Sequence, residues 1–317
     1  MSPGEGAAPP VSRICLSTAL GGAGRGIFPY TLLPSYRQLL QAVRETGATV
    51  FAKSATRHPR RGNFVPQNPF TWRYIRRLPG VGMLNAYGLT NAGVEKIAPD
   101  LRRSWELGFR VIPNFYPEFA KGLEVAIHET LEAVAIYRQA LGPHVQALEL
   151  NYSCPNAAEA IRENVTQALA CTRALREKVP ELRLIAKVSI CHPFEFCQEL
   201  EHLGVAAIHA VNTIPYDLLY PLGPPSPLAE VGGGGVSGGP AFDLAFAYNR
   251  ELRPKLRGFL IMGCGVAGRE QVARYFDIGA DAVSLCTLAL RRPREAAWIV
   301  RHFCDHRPAS REETSAR

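Results

Sequence analysis

Eight short, continuously apolar runs recur along the chain, separated by longer amphipathic stretches. The runs read "RICLSTAL", "ATVFAKS", "FRVIPNF", "VQALELN", "LRLIAKV", "AAIHAVN", "GFLIMGC" and "DAVSLCT". Continuous rather than alternating apolar character is expected of parallel strands buried on both faces. The intervening stretches, such as "PSYRQLLQAVRETG", "VAIHETLEAVAIYRQALG" and "NVTQALACTRALREKV", carry helical periodicity. Several of them end in glycine, the usual left-handed helix stop. Eight strand–helix units within 317 residues point to an α/β fold, a closed (β/α)8 TIM barrel. A doubly wound open sheet would show fewer strands and a Gly-rich turn after the first.

Two long excursions interrupt the pattern, after strands two and six. One runs from "KSATRHPRRGN" to "MLNAYGLTNAG", the other from "NTIPYDLLYPLG" to "VGGGGVSGGPAF". Long loops at the C-terminal ends of barrel strands are where such folds keep their chemistry. No internal repeat or linker divides the chain. A single barrel domain is expected over residues 13–305, with an extended or disordered segment at 1–12 and a flexible tail at 306–317. The opening "MSPGEGAAPPVSR" has no long apolar run, so neither a signal peptide nor a membrane span is expected there.

With 47% hydrophobic residues the chain can fill a large core, and its net charge is +8. A basic balance attracts nucleic acid or anionic small molecules, although solvated arginine-rich helix faces account for much of an excess of this kind. There are eight cysteines and no C-x-x-C pair. Cys191 and Cys197, with His192 between them, are poorly spaced for zinc, and no metal site is expected. The thiols read as small core residues of a reduced, cytoplasmic protein.

The strand ends carry the functional signal. Lys53 and Ser54 end the second run, Asn114 the third, Asn151 the fourth and Lys187 the fifth. Val211, Asn212 and Thr213 end the sixth, Gly263 to Gly265 the seventh, and Cys286 and Thr287 the eighth. One lysine or asparagine at a strand end is ordinarily a cap or turn residue. Two lysines and three asparagines on one barrel rim converge on a common centre, where burying them without a ligand is costly. Loops after strands seven and eight often hold a phosphate, and the glycines and Thr287 offer donors there. The two lysines suit an electron-rich ring. Together these residues suggest FMN across the barrel mouth.

Motifs in family order then make the chain resemble the dihydroorotate dehydrogenase family, from about Ile14 to Leu290. "KSATRHPRRGN" is similar to that family's Lys-Ser-x-Thr-x-x-Pro-Arg-x-Gly-Asn. "NAYGLTN" resembles its Asn-x-x-Gly-Leu-x-Asn, "NYSCPN" its Asn-x-Ser-Cys-Pro-Asn, and "GGVSG" its glycine loop. The resemblance implies an FMN-dependent (β/α)8 oxidoreductase of pyrimidine biosynthesis. It also gives "NYSCPN" a meaning: Cys154 becomes the catalytic base, with the hydride passing to the flavin. Asn85, Gly88, Leu89, Asn151, Asn156, Asn212 and Thr213 become the pyrimidine site, and Lys53 serves both substrate and flavin. Flavin-binding positions carry over to Ala19, Gly21, Ser54, Asn114, Asn151, Lys187, Val211, Gly238, Gly263, Gly265, Cys286 and Thr287. The chain departs from the family after Asn156, where "AAEAIREN" replaces a Gly-Lys-Pro segment, and at Tyr87 and Thr90.

A cysteine base and the lack of an apolar N-terminal helix imply the soluble class, usually a homodimer. The electron acceptor stays open: fumarate, oxygen, or a flavin/iron–sulfur partner subunit leading to NAD. Alternatives are an oxidoreductase of another dihydropyrimidine, a tRNA-dihydrouridine synthase-like enzyme, and a non-catalytic ligand-binding barrel. The free-pyrimidine amide set speaks against a nucleic-acid substrate, although the charge of +8 would suit one.

Overall fold

The structure, a computed structural model, describes residues 9–18, 33–153 and 158–304, with side chains from 163 in the last span. Ala19, Gly21, Cys154 and Asn156, most of the 1–12 segment and the 306–317 tail lie outside the described residues. All eight apolar runs form strands of one parallel sheet: β1 (Ile14–Ser17), β2 (Thr49–Phe51), β5 (Arg110–Ile112) continued by β6 (Asn114–Phe115), β7 (Ala147–Asn151), β8 (Arg183–Lys187), β9 (Ala207–Ala210), β12 (Phe259–Met262) and β13 (Ala282–Leu285). The pairing order is β5-β2-β1-β13-β12-β9-β8-β7-β6. Both ends of that list belong to the third run, split at Pro113, which has no N–H to give a ladder. Ala55 stitches the split, donating its N–H to Asn114 O at 3.0 Å and accepting from Tyr116 N at 2.8 Å. The sheet therefore closes as the expected barrel.

Helices cover the outside. Those flanking the first strands are α1 (Pro34–Thr46), α2 (Val94–Glu106), α3 (Leu123–Leu141) and α4 (Ala158–Lys178). Next come α5 (Phe194–His202), the short α6 (Tyr216–Leu219), α7 (Phe242–Leu252) and α8 (Arg269–Asp277). The chain then forms α9 (Thr287–Arg291) and α10 (Pro293–Phe303). Helix α1 illustrates the local logic. Pro34 sits in its first turn, where a missing N–H costs nothing, and Gly47 ends it at φ +64°. Between them Tyr36, Leu39, Ala42 and Val43 are buried on one face. No helix among the described residues is long and apolar enough to cross a membrane.

The barrel interior is layered, and the layers follow from strand geometry. An apolar plug takes one residue from each strand: Cys15, Phe51, Ile112, Ala147, Ile185, Ala207, Ile261 and Ala282. Side chains two residues apart on a strand share a face. The next inward layer is therefore Ser17, Lys53, Asn114, Glu149, Lys187, His209, Gly263 and Ser284. Apolar below and polar above, the interior changes character within one strand repeat.

The two excursions join. Strands β3 (Ile75–Leu78) and β4 (Gly82–Asn85) from the first pair with β10 (Ile214–Pro215) and β11 (Gly235–Ser237) from the second. They form one antiparallel sheet ordered β10-β11-β4-β3. Gly235 faces Asn85 and Ser237 faces Met83 in its register. Arg291 ties this sheet to the barrel by donating from Nη1 to Gly82 O at 2.7 Å.

Candidate active site

Between the polar layer and the antiparallel sheet lies a cavity of about 410 Å³, within the range of small-molecule and cofactor sites. Lys53, Ser54, Lys187, Asn151, Val211, Asn212 and Thr213 line it from the barrel strands and their ends. Asn85, Gly88, Leu89 and Gly238 come from the excursions, and Gly265, Cys286 and Thr287 from the last two strand ends. Asn114 and Gly263 occupy the polar layer but do not line the cavity. Asn114 turns its amide to donate to Glu149, and a side chain at Gly263 would meet Ser284 Oγ at 2.4 Å.

The amides are held in a chain that crosses the barrel mouth. Asn212 Nδ2 donates to Ser153 Oγ at 2.6 Å, and Ser153 Oγ donates to Asn151 Oδ1. Asn151 Nδ2 in turn donates to Ser54 Oγ at 2.9 Å. Asn85 is set from above, donating to Gly235 O at 3.3 Å. Amide orientation is thus dictated by neighbours just past the ends of β9, β7 and β2 and, for Asn85, on β11, so the rim presents donors and acceptors in fixed places. The chain runs through Ser153, the residue before Cys154.

Electrostatically the cavity is one-signed. Lys53, Arg60 and Lys187 line it, and among the described residues no Asp or Glu does. Low-dielectric walls focus such a field on an anionic ligand. Lys187 Nζ donates to Ser17 Oγ at 3.0 Å. Lys53 Nζ lies 4.0 Å over the Tyr87 ring, a cation–π arrangement. Burial pulls the Lys53 pKa down to about 7 and pushes the Tyr87 phenol up to about 12. Of the thiols at this site, burial pushes Cys264 up to about 12 and raises Cys286. Both stay protonated at neutral pH, which removes them as bases.

Thr18, Val81, Leu89 and Cys264 are the described non-glycine residues with positive φ. Three of them, Thr18, Leu89 and Cys264, line the cavity. For side-chain-bearing residues this conformation costs on the order of 1–3 kcal/mol and clusters at functional sites. At the far rim, Thr287 Oγ1 donates to Ser237 Oγ at 2.8 Å, and Thr18 Oγ1 lies 3.6 Å from Cys286 Sγ. Sequence reasoning missed Ser17, Thr18, Arg60, Asn63, Ser153, His209, Ser237 and Ser284, all of which line the cavity. Counting two residues up from the apolar plug would have found Ser17, His209 and Ser284.

The hydroxyl-rich far rim suits a flavin phosphate: the donors there are serine and threonine, and among the described residues no carboxylate lines the cavity. Comparison with known proteins agrees in family and fold. The dihydroorotate dehydrogenase family model matches residues 37–303. Dihydroorotate dehydrogenase B (NAD(+)), catalytic subunit, of Bacillus cereus (strain AH187) is 28% identical over 246 residues, covering 75% of this chain and 73% of that protein. The protein of the same name from Bacillus anthracis (strain A0248) matches to the same extent. Among solved structures, DHODH from Eimeria tenella in complex with ferulenol superposes with a TM-score of 0.61 at 18% identity, over 92% of this chain and 80% of that one.

Proposed function

This chain belongs to the dihydroorotate dehydrogenase family, and on that premise we propose that it oxidises dihydroorotate to orotate with bound FMN. One observation carries the reading beyond family membership: the cavity at the C-terminal rim joins fixed amides to three basic side chains and, among the described residues, no carboxylate. Dihydroorotate is an anion with amide-like ring edges, and such a lining complements both features. The residues from 13 to 305 act as one catalytic domain in this reading.

Each residue then has a task. Asn85, Asn151 and Asn212, with Thr213 and Asn156, hold the edges of the pyrimidine by paired donors and acceptors. Lys53 meets the ligand's negative charge from beside Tyr87. Cys154 removes the proton from the ring carbon next to the one that loses hydride. Bound FMN supplies the hydride acceptor. Lys187, Ser17, Ser54, Val211, Gly238, Gly265, Cys286 and Thr287 would hold it, offering a lysine amine, hydroxyls and close-packed backbone. Ala19 and Gly21 complete that set through the family resemblance, whereas Asn114 and Gly263 stand behind the cavity lining and support it from the polar layer. The Bacillus relatives are named as catalytic subunits of an NAD(+)-linked enzyme, which favours an electron-accepting partner subunit for this chain, alongside self-association as a homodimer and a cytoplasmic location.

The test is the absorption spectrum of the purified protein, followed by anaerobic addition of dihydroorotate. Equimolar FMN that bleaches is expected. FAD released by heat would overturn the cofactor assignment. Flavin bleached by a different dihydropyrimidine, and not by dihydroorotate, would overturn the substrate.

Lys187→Ala is expected to loosen FMN by roughly ten- to a hundredfold, the range for losing one charge-assisted hydrogen bond of about 1.5–3 kcal/mol. Its effect on orotate affinity should be smaller. Equilibrium dialysis of flavin from the variant measures this, and unchanged retention would show that the lysine does not hold the cofactor.

Orotate binding should depend on pH through Lys53. The amine is charged below its depressed pKa of about 7, and the anion binds that charged form. Affinity is therefore full below that pH and falls by up to tenfold per unit as pH rises through it. Lys53→Met should flatten the profile. Titration calorimetry between pH 6 and 9 decides, and a wild-type profile without slope would rule the lysine out.

A further inference from the structure

The polar layer holds two titratable groups that the proposed chemistry leaves idle. Glu149 is fully buried and His209 is 1% exposed. Glu149 Oε1 lies 2.5 Å from His209 Nδ1, and the second carboxylate oxygen accepts from Asn114 Nδ2. The imidazole's other nitrogen, Nε2, lies 2.8 Å from Ser284 Oγ. His209 and Ser284 line the cavity floor, whereas Glu149 stands behind them.

These contacts determine where the protons sit. An ionised carboxylate only accepts, so Nδ1 carries the hydrogen. In the neutral ring Nε2 is then an acceptor, and the Ser284 hydroxyl must donate to it. That hydroxyl hydrogen points along the floor, away from the cavity. A proton added at Nε2 reverses the bond: Nε2–H donates to Ser284 Oγ, and the serine hydrogen is released toward the cavity.

We propose that Glu149, His209 and Ser284 form a proton-operated donor switch, which aims a hydroxyl and a positive charge at the flavin when it becomes negative on reduction. The inference rests on the flavin reading above and deepens it, with Glu149 and His209 as positioning residues. Two electrons arrive on the flavin with the hydride. The extra proton comes from solvent water and forms the Nε2–H bond. Glu149 stays a carboxylate and balances the imidazolium.

The surroundings favour a switch over a permanent charge. Burial holds His209 below its ordinary range; Glu149 from β7 opposes that, and Lys187 from β8 adds to it. The ring is thus neutral at rest near neutral pH. Burial also works against charge on Glu149, but Lys187 and the hydrogen bonds from His209 and Asn114 favour it, and the carboxyl stays below its usual value. The Phe51 ring packs 5.2 Å from the imidazole and brings no charge. Desolvation raises the pKa values of Cys15, Cys264 and Cys286, and these thiols stay neutral. Lys53 shares the layer, with its own charge attenuated by burial.

The test uses the FMN-loaded protein, reduced with dithionite so that the outcome does not depend on the substrate. With 15N-labelled histidine, the oxidised protein should show one protonated and one bare nitrogen at His209, and the reduced protein two protonated nitrogens. The flavin midpoint potential of His209→Gln and Glu149→Gln should lose up to one proton per two electrons from its pH slope. That is tenfold per pH unit, or ~30 mV. Ser284→Ala should keep the slope and bind reduced flavin more weakly than wild type does. A bare nitrogen persisting in the reduced protein would overturn the switch, and so would a wild-type slope in His209→Gln. If the variants do not fold, the nitrogen measurement on wild type decides alone. A protein whose flavin dithionite reduces but dihydroorotate does not would fail the substrate reading and leave this test standing. A protein that takes up no flavin overturns both.

Discussion

Cys154→Ala is expected to remain yellow, to bind orotate, and to be reduced by dihydroorotate about a hundred- to ten-thousand-fold more slowly than wild type, the usual worth of a positioned general base. Cys154 follows Ser153, whose hydroxyl is fixed between Asn212 and Asn151, so the chain enters position 154 from a pinned point at the edge of the cavity. The described thiols in that cavity, Cys264 and Cys286, are raised by burial and are poor bases at neutral pH. A thiol acts as base in its deprotonated form, reached near pH 8.5 in the absence of perturbation. Cys154→Ser should keep residual activity with its optimum moved to higher pH, because a hydroxyl gives up its proton less readily. Anaerobic stopped-flow of both variants makes the comparison. Near-wild-type rates in alanine and serine alike would reduce Cys154 to a small residue fitted before Pro155.

Gly238→Ala carries the largest expected stability loss. Gly238 has φ 79° and ψ −165°, a region essentially closed to residues with a side chain and costing about 1–3 kcal/mol. A Cβ there would stand 2.0 Å from Val81 O and 3.0 Å from Thr287 Cγ2. The first obstacle is backbone and cannot rotate away. Overpacking of this kind typically adds about 1–3 kcal/mol, so a total of about 2–6 kcal/mol is expected, with flavin retention falling alongside. Gly80→Ala is the control. It has φ +61°, but only Pro240 Cδ approaches, at 3.8 Å, so the cost should stay near that of the backbone alone. Urea unfolding of the two variants measures the difference. Equal midpoints would mean that β11 does not approach Val81 as closely as described.

The barrel was legible because its strands are buried on both faces and read as unbroken apolar runs. The cavity rim was legible because Lys53, Asn151, Lys187, Asn212 and Thr287 sit where those runs stop. The floor was harder to read, since Glu149 and His209 lie within "VQALELN" and "AAIHAVN" and look like isolated polar intrusions. Only a shared inward face reveals them as neighbours, and a linear reading of run ends overlooks that face. Asn114 shows the reverse case: it stands at a strand end, yet its amide serves Glu149. The antiparallel sheet left almost no trace. Its strands are two to four residues long, too short for periodicity, and their pairing is set by where the barrel delivers the two excursions.

That sheet also bears on the order in which the molecule assembles. Asn85 and Gly235, which face each other across it, are 150 residues apart in the chain. Non-local pairing pays its loop-closure entropy before any contact rewards it. The barrel segments between them must already be in place to bring the two edges together. The roof of the site is therefore expected to form after the barrel segments that deliver its two edges, so that a nascent chain has a barrel in progress before it has an enclosed place for chemistry; hydrogen exchange faster at β4 and β11 than in the barrel strands would show this order.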